Sequence, residues 1–156
     1  GKDSFRREKN GGYEMTVSRV IAEWLKGYDM KAVKVDTDQV GEGADSLGLF
    51  KSPNRERKEY NDNSYLITEY YQLYVVREGQ DNRDREDNDE WLEKFAYWVD
   101  DCQYEQKFPK LDDDRRCTDI ELAGTPYMFE AKEDNTNLYQ ISLKITYLRE
   151  RKEAEW

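Results

Sequence analysis

Between Leu138 and Arg149 the chain alternates without a break. Tyr139, Ile141, Leu143, Ile145 and Tyr147 fall on one side of a two-residue period, and Gln140, Ser142, Lys144 and Thr146 fall on the other. Successive side chains of a β-strand point to opposite faces. The pattern therefore demands a long strand with one face on a core and the other toward water or a neighbour. A charged run follows (Arg149, Glu150, Arg151, Lys152, Glu153). A chain that carries such a segment is built around a sheet.

The remaining elements are placed by period and punctuation. Thr16 can cap a helix whose apolar residues Val17, Val20, Ile21, Trp24, Leu25 and Tyr28 recur in steps of three and four, with Gly27 positioned to end it. Val33 and Val35 mark a short strand, Gln39 to Ala44 a turn, and Asp45 to Lys51 a return strand. Pro53 punctuates before Arg55 to Tyr60, and Asn61-Asp62-Asn63-Ser64 signals a turn into a second long strand, Tyr65 to Arg77. A charged loop tip is expected over Glu78 to Asp87. A second helix follows, capped by Asp87 or Asn88 and carrying Trp91, Leu92, Phe95, Trp98, Val99 and Cys102. Phe108-Pro109 marks its end. Cys117 to Ala123 and Tyr127 to Ala131 are strands around Gly124-Thr125-Pro126, and Asp134 to Asn137 turns into the closing strand. Helix, strands, helix, strands, with mostly hairpin-like joins, predicts an α+β fold: a mostly antiparallel, or mixed, β-sheet with two α-helices packed on one face. Residues 1–14 are expected to be a flexible N-terminal arm or an added leader, 15–150 a single domain and 151–156 a charged tail.

Composition narrows the function classes. The 156 residues carry a net charge of −10, against a broad surface that grips a phosphate backbone. No apolar run approaches the ~20 residues that cross a bilayer, and Gly1 to Glu14 has no signal-peptide pattern, so a soluble protein without an export signal is expected. Cys102 and Cys117 are not at a metal-type spacing and are expected as free thiols in a reducing compartment. The chain has no histidine, which removes the usual general base and every Ser-His or Cys-His nucleophile pair.

Several residue groups could carry chemistry. Asp112-Asp113-Asp114 lacks the glycine and terminal Glu of a calcium loop and fits a solvated loop better. Asp119 with Glu130-Ala131-Lys132 matches, in residue type, the two carboxylates and lysine of metal-dependent nucleases. Such a triplet arises easily by chance in a chain that is 38% charged. Arg83, Asp84, Arg85, Glu86, Asp87 and Asp89 make a mixed-charge tip suited to docking or to an ordinary exposed turn. Tyr65, Tyr70, Tyr71, Tyr74, Trp91 and Trp98 suit core or subunit packing better than base stacking, because no basic groove accompanies them. Gly41 and Gly43 lack the third glycine of a phosphate loop. No catalytic, cofactor or metal site is assigned.

The order and texture of these segments resemble a known family. They are the opening helix TVSRVIAEWL (Thr16–Leu25), the strand ITEYYQLYV (Ile67–Val75), the Trp91–Cys102 helix, Phe108-Pro-Lys-Leu, Ile120-Glu-Leu with Gly124-Thr-Pro-Tyr, and LYQISLKITY (Leu138–Tyr147). Together they resemble the minor-capsid or tail-completion proteins of long-tailed bacteriophages and prophages, the tail terminator group, over most of residues 15–150. Some members carry a chloramphenicol-resistance label, but a chain without histidine lacks the base that such acetyl transfer uses. The resemblance implies a non-enzymatic α+β subunit that assembles with itself into a ring, commonly a hexamer, at the head-proximal end of the tail tube. It further implies that the ring stops tube growth and meets head-completion proteins, in the virion and, during assembly, the host cytoplasm. Loops at 36–64 and 78–87 are the expected contact elements; no membrane or direct nucleic-acid partner is expected. The alternative from a different class is an acidic DNA mimic that inhibits a DNA-binding enzyme, although 25 Lys and Arg interrupt its acids.

Overall fold

A computed structural model describes residues 15–28, 30, 33–35 and 45–151. The expected arm 1–14, the turn holding Gly41 and Gly43, and the tail beyond Arg151 lie outside the described residues. Within them, helix α1 (Val17–Leu25) leads through a 3₁₀ turn (Lys26–Tyr28) to strands β1 (Lys34–Val35), β2 (Leu47–Glu59) and β3 (Tyr65–Glu78). Helix α2 (Asn82–Tyr104) and strands β4 (Arg115–Leu122), β5 (Tyr127–Ala131) and β6 (Thr136–Arg149) complete the described chain. The strands form one sheet in the order β1-β2-β3-β6-β4, with β5 on the same edge of β6 as β4. Only the short β1–β2 pair is parallel. This is an α+β fold with a mixed, mostly antiparallel sheet.

The closing strand sits at the centre of it. β3 and β6 pair along their full length, from Tyr65 opposite Arg149 to Glu78 opposite Thr136. Tyr139, Ile141, Leu143, Ile145 and Tyr147 are buried with Ile67, Tyr71, Leu73 and Val75 of β3. Both helices cover this face, since Ile21 and Leu25 of α1 and Leu92, Phe95 and Val99 of α2 belong to the same cluster. The helices also touch each other, with the Trp24 and Trp98 rings 4.5 Å apart and Tyr28 edge-on to Phe95. The opposite face carries Gln72, Tyr74, Gln140, Ser142, Lys144 and Thr146, and no helix covers it among the described residues. No helix among them is long and apolar enough to cross a membrane.

Three sequence expectations need correction. Helix α2 begins at Asn82, not near Asp87 or Asn88. Asp81 is the cap, its side chain accepting from the Asp84 N–H while the Asp84 carboxylate accepts from the Gln80 N–H. This reciprocal arrangement satisfies the first free amides, and acidic residues suit a helix N-terminus. The expected loop tip Arg83 to Asp89 is therefore the first two turns of α2. Asn88 is buried mid-helix, donating to the Glu78 carbonyl and the Tyr139 hydroxyl and accepting from Arg77 Nε. Strand β2 runs through Pro53 without stopping, with a register irregularity between Lys51 and Arg55, because an edge strand can spare the missing N–H. Finally, Gly27 lies in the 3₁₀ turn, where its lack of a side chain serves close packing: a Cβ there would sit 3.0 Å from the Trp98 ring.

The core places its heaviest demand on Phe95, which is fully buried against Tyr28, Trp91 and Trp98. Phe95→Ala is expected to lower the unfolding free energy by about 3–5 kcal/mol. Tyr104→Ala, at an exposed position on the same helix, should change it by no more than about 0.5 kcal/mol. Urea unfolding followed by tryptophan fluorescence measures both.

Candidate functional site

The sheet separates the residues that match a metal-nuclease set in type. Asp119 lies opposite Thr146 and Glu130 opposite Leu138, both along β6. Because β4 and β5 lie end to end on one edge, about 26 Å of strand separates the two carboxylates. The Asp119 carboxylate instead accepts from Gln103 Nε2 at 2.8 Å, and Lys132 follows β5 with its backbone N–H on the Thr136 carbonyl. Asp119, Glu130 and Lys132 do not share a site. Among the described residues no three Asp, Glu or Cys side chains cluster as a metal site requires. Asp112 of the acidic run accepts from Arg115 Nε and Nη2 at 3.1 and 2.8 Å and from the Arg115 N–H at 3.0 Å. It serves as an arginine partner.

The aromatic set divides between the two faces. Tyr65 and Tyr71 are in the core, and Trp91 and Trp98 pack around Tyr28. Tyr74 is on the uncovered face, edge-on to Phe50 at 5.6 Å and to Phe129 at 5.9 Å. Beside it a polar chain crosses the strands: Tyr127 donates to Gln140, and Gln140 and Ser142 both donate to Gln72 Oε1 at 2.7 Å. Strand β5 ends this surface with Tyr127 and Phe129, each about half exposed, while Met128, opposite Tyr139, is half exposed on the other face. Its outer edge has no strand partner among the described residues.

A second feature had no signal in the sequence. A concavity of about 770 Å³ opens at the end of the sheet where β3 begins and β6 ends. Among the described residues, five cations (Arg19, Lys51, Arg55, Arg115 and Arg149) and a single carboxylate, Glu69, line it together with the first turn of α1. Glu69 is only 2% exposed. Lys51 Nζ lies 3.0 Å and Arg55 Nε 3.5 Å from its Oε2, and the Tyr71 hydroxyl donates to its Oε1. A buried carboxylate is tolerated only with such partners. Burial, then the Glu69 charge, pushes the Tyr147 hydroxyl up to about 12, and the same two causes push Tyr71 well above the ordinary phenol range. Arg115 spans the rim, one guanidinium nitrogen reaching both the Met15 carbonyl and Asp112. The cations come from four separate stretches of chain, α1, β2, β4 and β6, which is why no motif announces them.

Cys102 and Cys117 are free and buried. Burial pushes the Cys117 thiol up to about 12, so it is a packed, unreactive sulfur at neutral pH. No family model and no curated protein sequence matches this chain.

The raised pKa values of these buried groups imply a loss of stability at alkaline pH. The Cys117 thiol and the Tyr147 hydroxyl stay protonated in the folded chain at pH values where the unfolded chain releases both protons. Their contribution is complete below the unfolded values and disappears as pH rises through about 12. Denaturant midpoints should therefore fall from about pH 9 upward, and Cys117→Ala or Tyr147→Phe should flatten the fall. Midpoints that decline equally in both variants would assign it elsewhere.

Proposed function

We propose that this protein is a non-enzymatic structural subunit of the phage tail-terminator kind. In this reading it assembles with copies of itself into a ring, most simply a hexamer, that ends the tail tube and meets head-completion proteins. The observation that carries the reading is the uncovered sheet face with its open β5 edge. An unpaired edge is a template for association, and proteins that remain monomeric defend it with charge. β2 follows that rule: Arg55, Glu56, Arg57, Lys58 and Glu59 are exposed along its outer part. β5 does not, since Tyr127 and Phe129 are presented beside Tyr74 and Met128 is half exposed on the side of its partner Tyr139. Such a patch is suited to burial against a second copy. A contact between two unlike surfaces whose rotation closes gives a finite ring.

The resemblance in segment order and the absence of histidine support the same reading. It places the protein in the virion and, during assembly, in the host cytoplasm, with neither membrane nor nucleic acid as a direct partner. The DNA-mimic alternative needs a continuous acidic face, and the basic pocket interrupts the acidity of the chain.

Sedimentation velocity over a concentration series, with negative-stain microscopy of the heaviest species, tests the proposal. Wild-type protein should associate into rings, and Phe129→Asp should shift it toward monomer by about tenfold or more in the association constant. A wild-type chain that stays monomeric up to millimolar concentration, and also fails to bind purified tail tubes, would overturn it.

A further inference from the structure

The fold sorts charge along the strand axis. The basic pocket occupies the end of the sheet marked by Ile67, Glu69 and Arg149. The opposite end, where β3 finishes at Glu78, carries the first turns of α2, in which the five carboxylates Asp84, Glu86, Asp87, Asp89 and Glu90 outnumber Arg83 and Arg85 and leave a net negative charge. Glu86, Asp87, Asp89 and Glu90 are exposed. About 36 Å of extended strand separates Ile67 from Glu78, so the acidic turns of α2 cannot reach the pocket of their own chain. The two surfaces can neutralise each other only between molecules.

We infer that the basic pocket receives the acidic N-terminal turns of α2 from a second copy of this chain. The inference rests on the structural-subunit reading and names one of its contacts. Three observations favour this occupant. Lys51 and Arg55 remain 48% and 45% exposed although both contact Glu69, so each keeps donors for an incoming carboxylate. Arg19, on the first turn of α1, is exposed and makes no ion pair with a described residue. The volume, about 770 Å³, matches about two turns of a helix ~10 Å across, the length that holds Glu86 and Asp87. Glu69 fixes Lys51 and Arg55 in place before the partner arrives, which reduces the ordering cost of the contact. Because the donor and acceptor surfaces differ, the contact is head-to-tail, as ring closure requires.

Charge exchange between two variants tests this. A pocket variant, Arg19→Glu with Arg55→Glu, and a helix variant, Glu86→Lys with Asp87→Lys, are each expected to associate about tenfold more weakly than wild type in sedimentation velocity. An equimolar mixture should recover association to within about threefold of wild type, since each supplies the surface the other has reversed. Arg19→Glu alone, which leaves every Glu69 contact intact, should still weaken association, and circular dichroism establishes that it is folded. A mixture no tighter than either variant alone, or variants that assemble like wild type, overturns the pocket contact while leaving ring formation standing. Wild type that stays monomeric up to millimolar concentration and also fails to bind purified tail tubes overturns the subunit reading itself. Titration with inorganic phosphate supplies the remaining arm: saturable binding abolished by Arg19→Glu, without recovery in the mixture, would make the pocket a small-anion site instead.

Discussion

The full-length antiparallel pairing of β3 with β6 is the constraint on which the other features depend. Its register sets odd-numbered residues of both strands on the helix side: Leu73 faces Ile141, Tyr71 faces Leu143 and Ile67 faces Tyr147. A slip by one residue would turn every one of these to the other face, exchanging the apolar set for Gln72, Gln140 and Ser142. The same register places Glu69, an odd-numbered residue opposite Ile145, on the core side. A carboxylate at that position has to be compensated. Lys51 and Arg55 come from β2 across the strand and Tyr71 from the next position on its own face. The basic pocket is thus a consequence of the core register. It forms where the first turn of α1 meets the odd face at the end of the sheet.

On the other side of the sheet the register leaves an even-numbered surface of amides, hydroxyls and rings. The Gln72–Gln140–Ser142 hydrogen bonds hold its polar centre rigid, and Tyr74 ties Phe50 to Phe129 across strands. The two edges of the sheet are treated differently: charge lines the outer part of β2, while half-exposed rings line β5. That asymmetry distinguishes a surface designed to stay in water from one suited to burial.

Much of this architecture was legible in the residues, and the exceptions have physical causes. Strict alternation in Tyr139–Tyr147 identified the central strand because one face is fully buried and the other half-exposed. The start of α2 was hidden because its first turns face water and carry no apolar stripe; they are held by the Asp81–Asp84 cap and by Asn88. Pro53 suggested a break in β2, yet the strand lies at an edge where one missing donor costs little. Asp119 and Glu130 match a metal-nuclease set in residue type alone, and β4 and β5 extend along β6 instead of folding back on each other. The pocket was invisible. Its cations lie as far apart as Arg19 and Arg149, and each alone resembles an ordinary surface charge.

Net charge and local charge act on association in opposite directions. Copies with a charge of −10 repel one another at long range, a field that falls off within about 8–10 Å at moderate salt. Carboxylates seated against Lys51, Arg55 and Arg19 interact at contact distance in a partly desolvated concavity, where salt screens them less. Added salt therefore removes the repulsion before it removes the attraction. Under the proposed reading, subunits would remain separate in dilute solution and close their contacts where a tail tube concentrates and orients them. In that reading acidity and the basic pocket belong to one design: the first would prevent premature stacking of a chain with an open edge, and the second would set the direction in which copies meet.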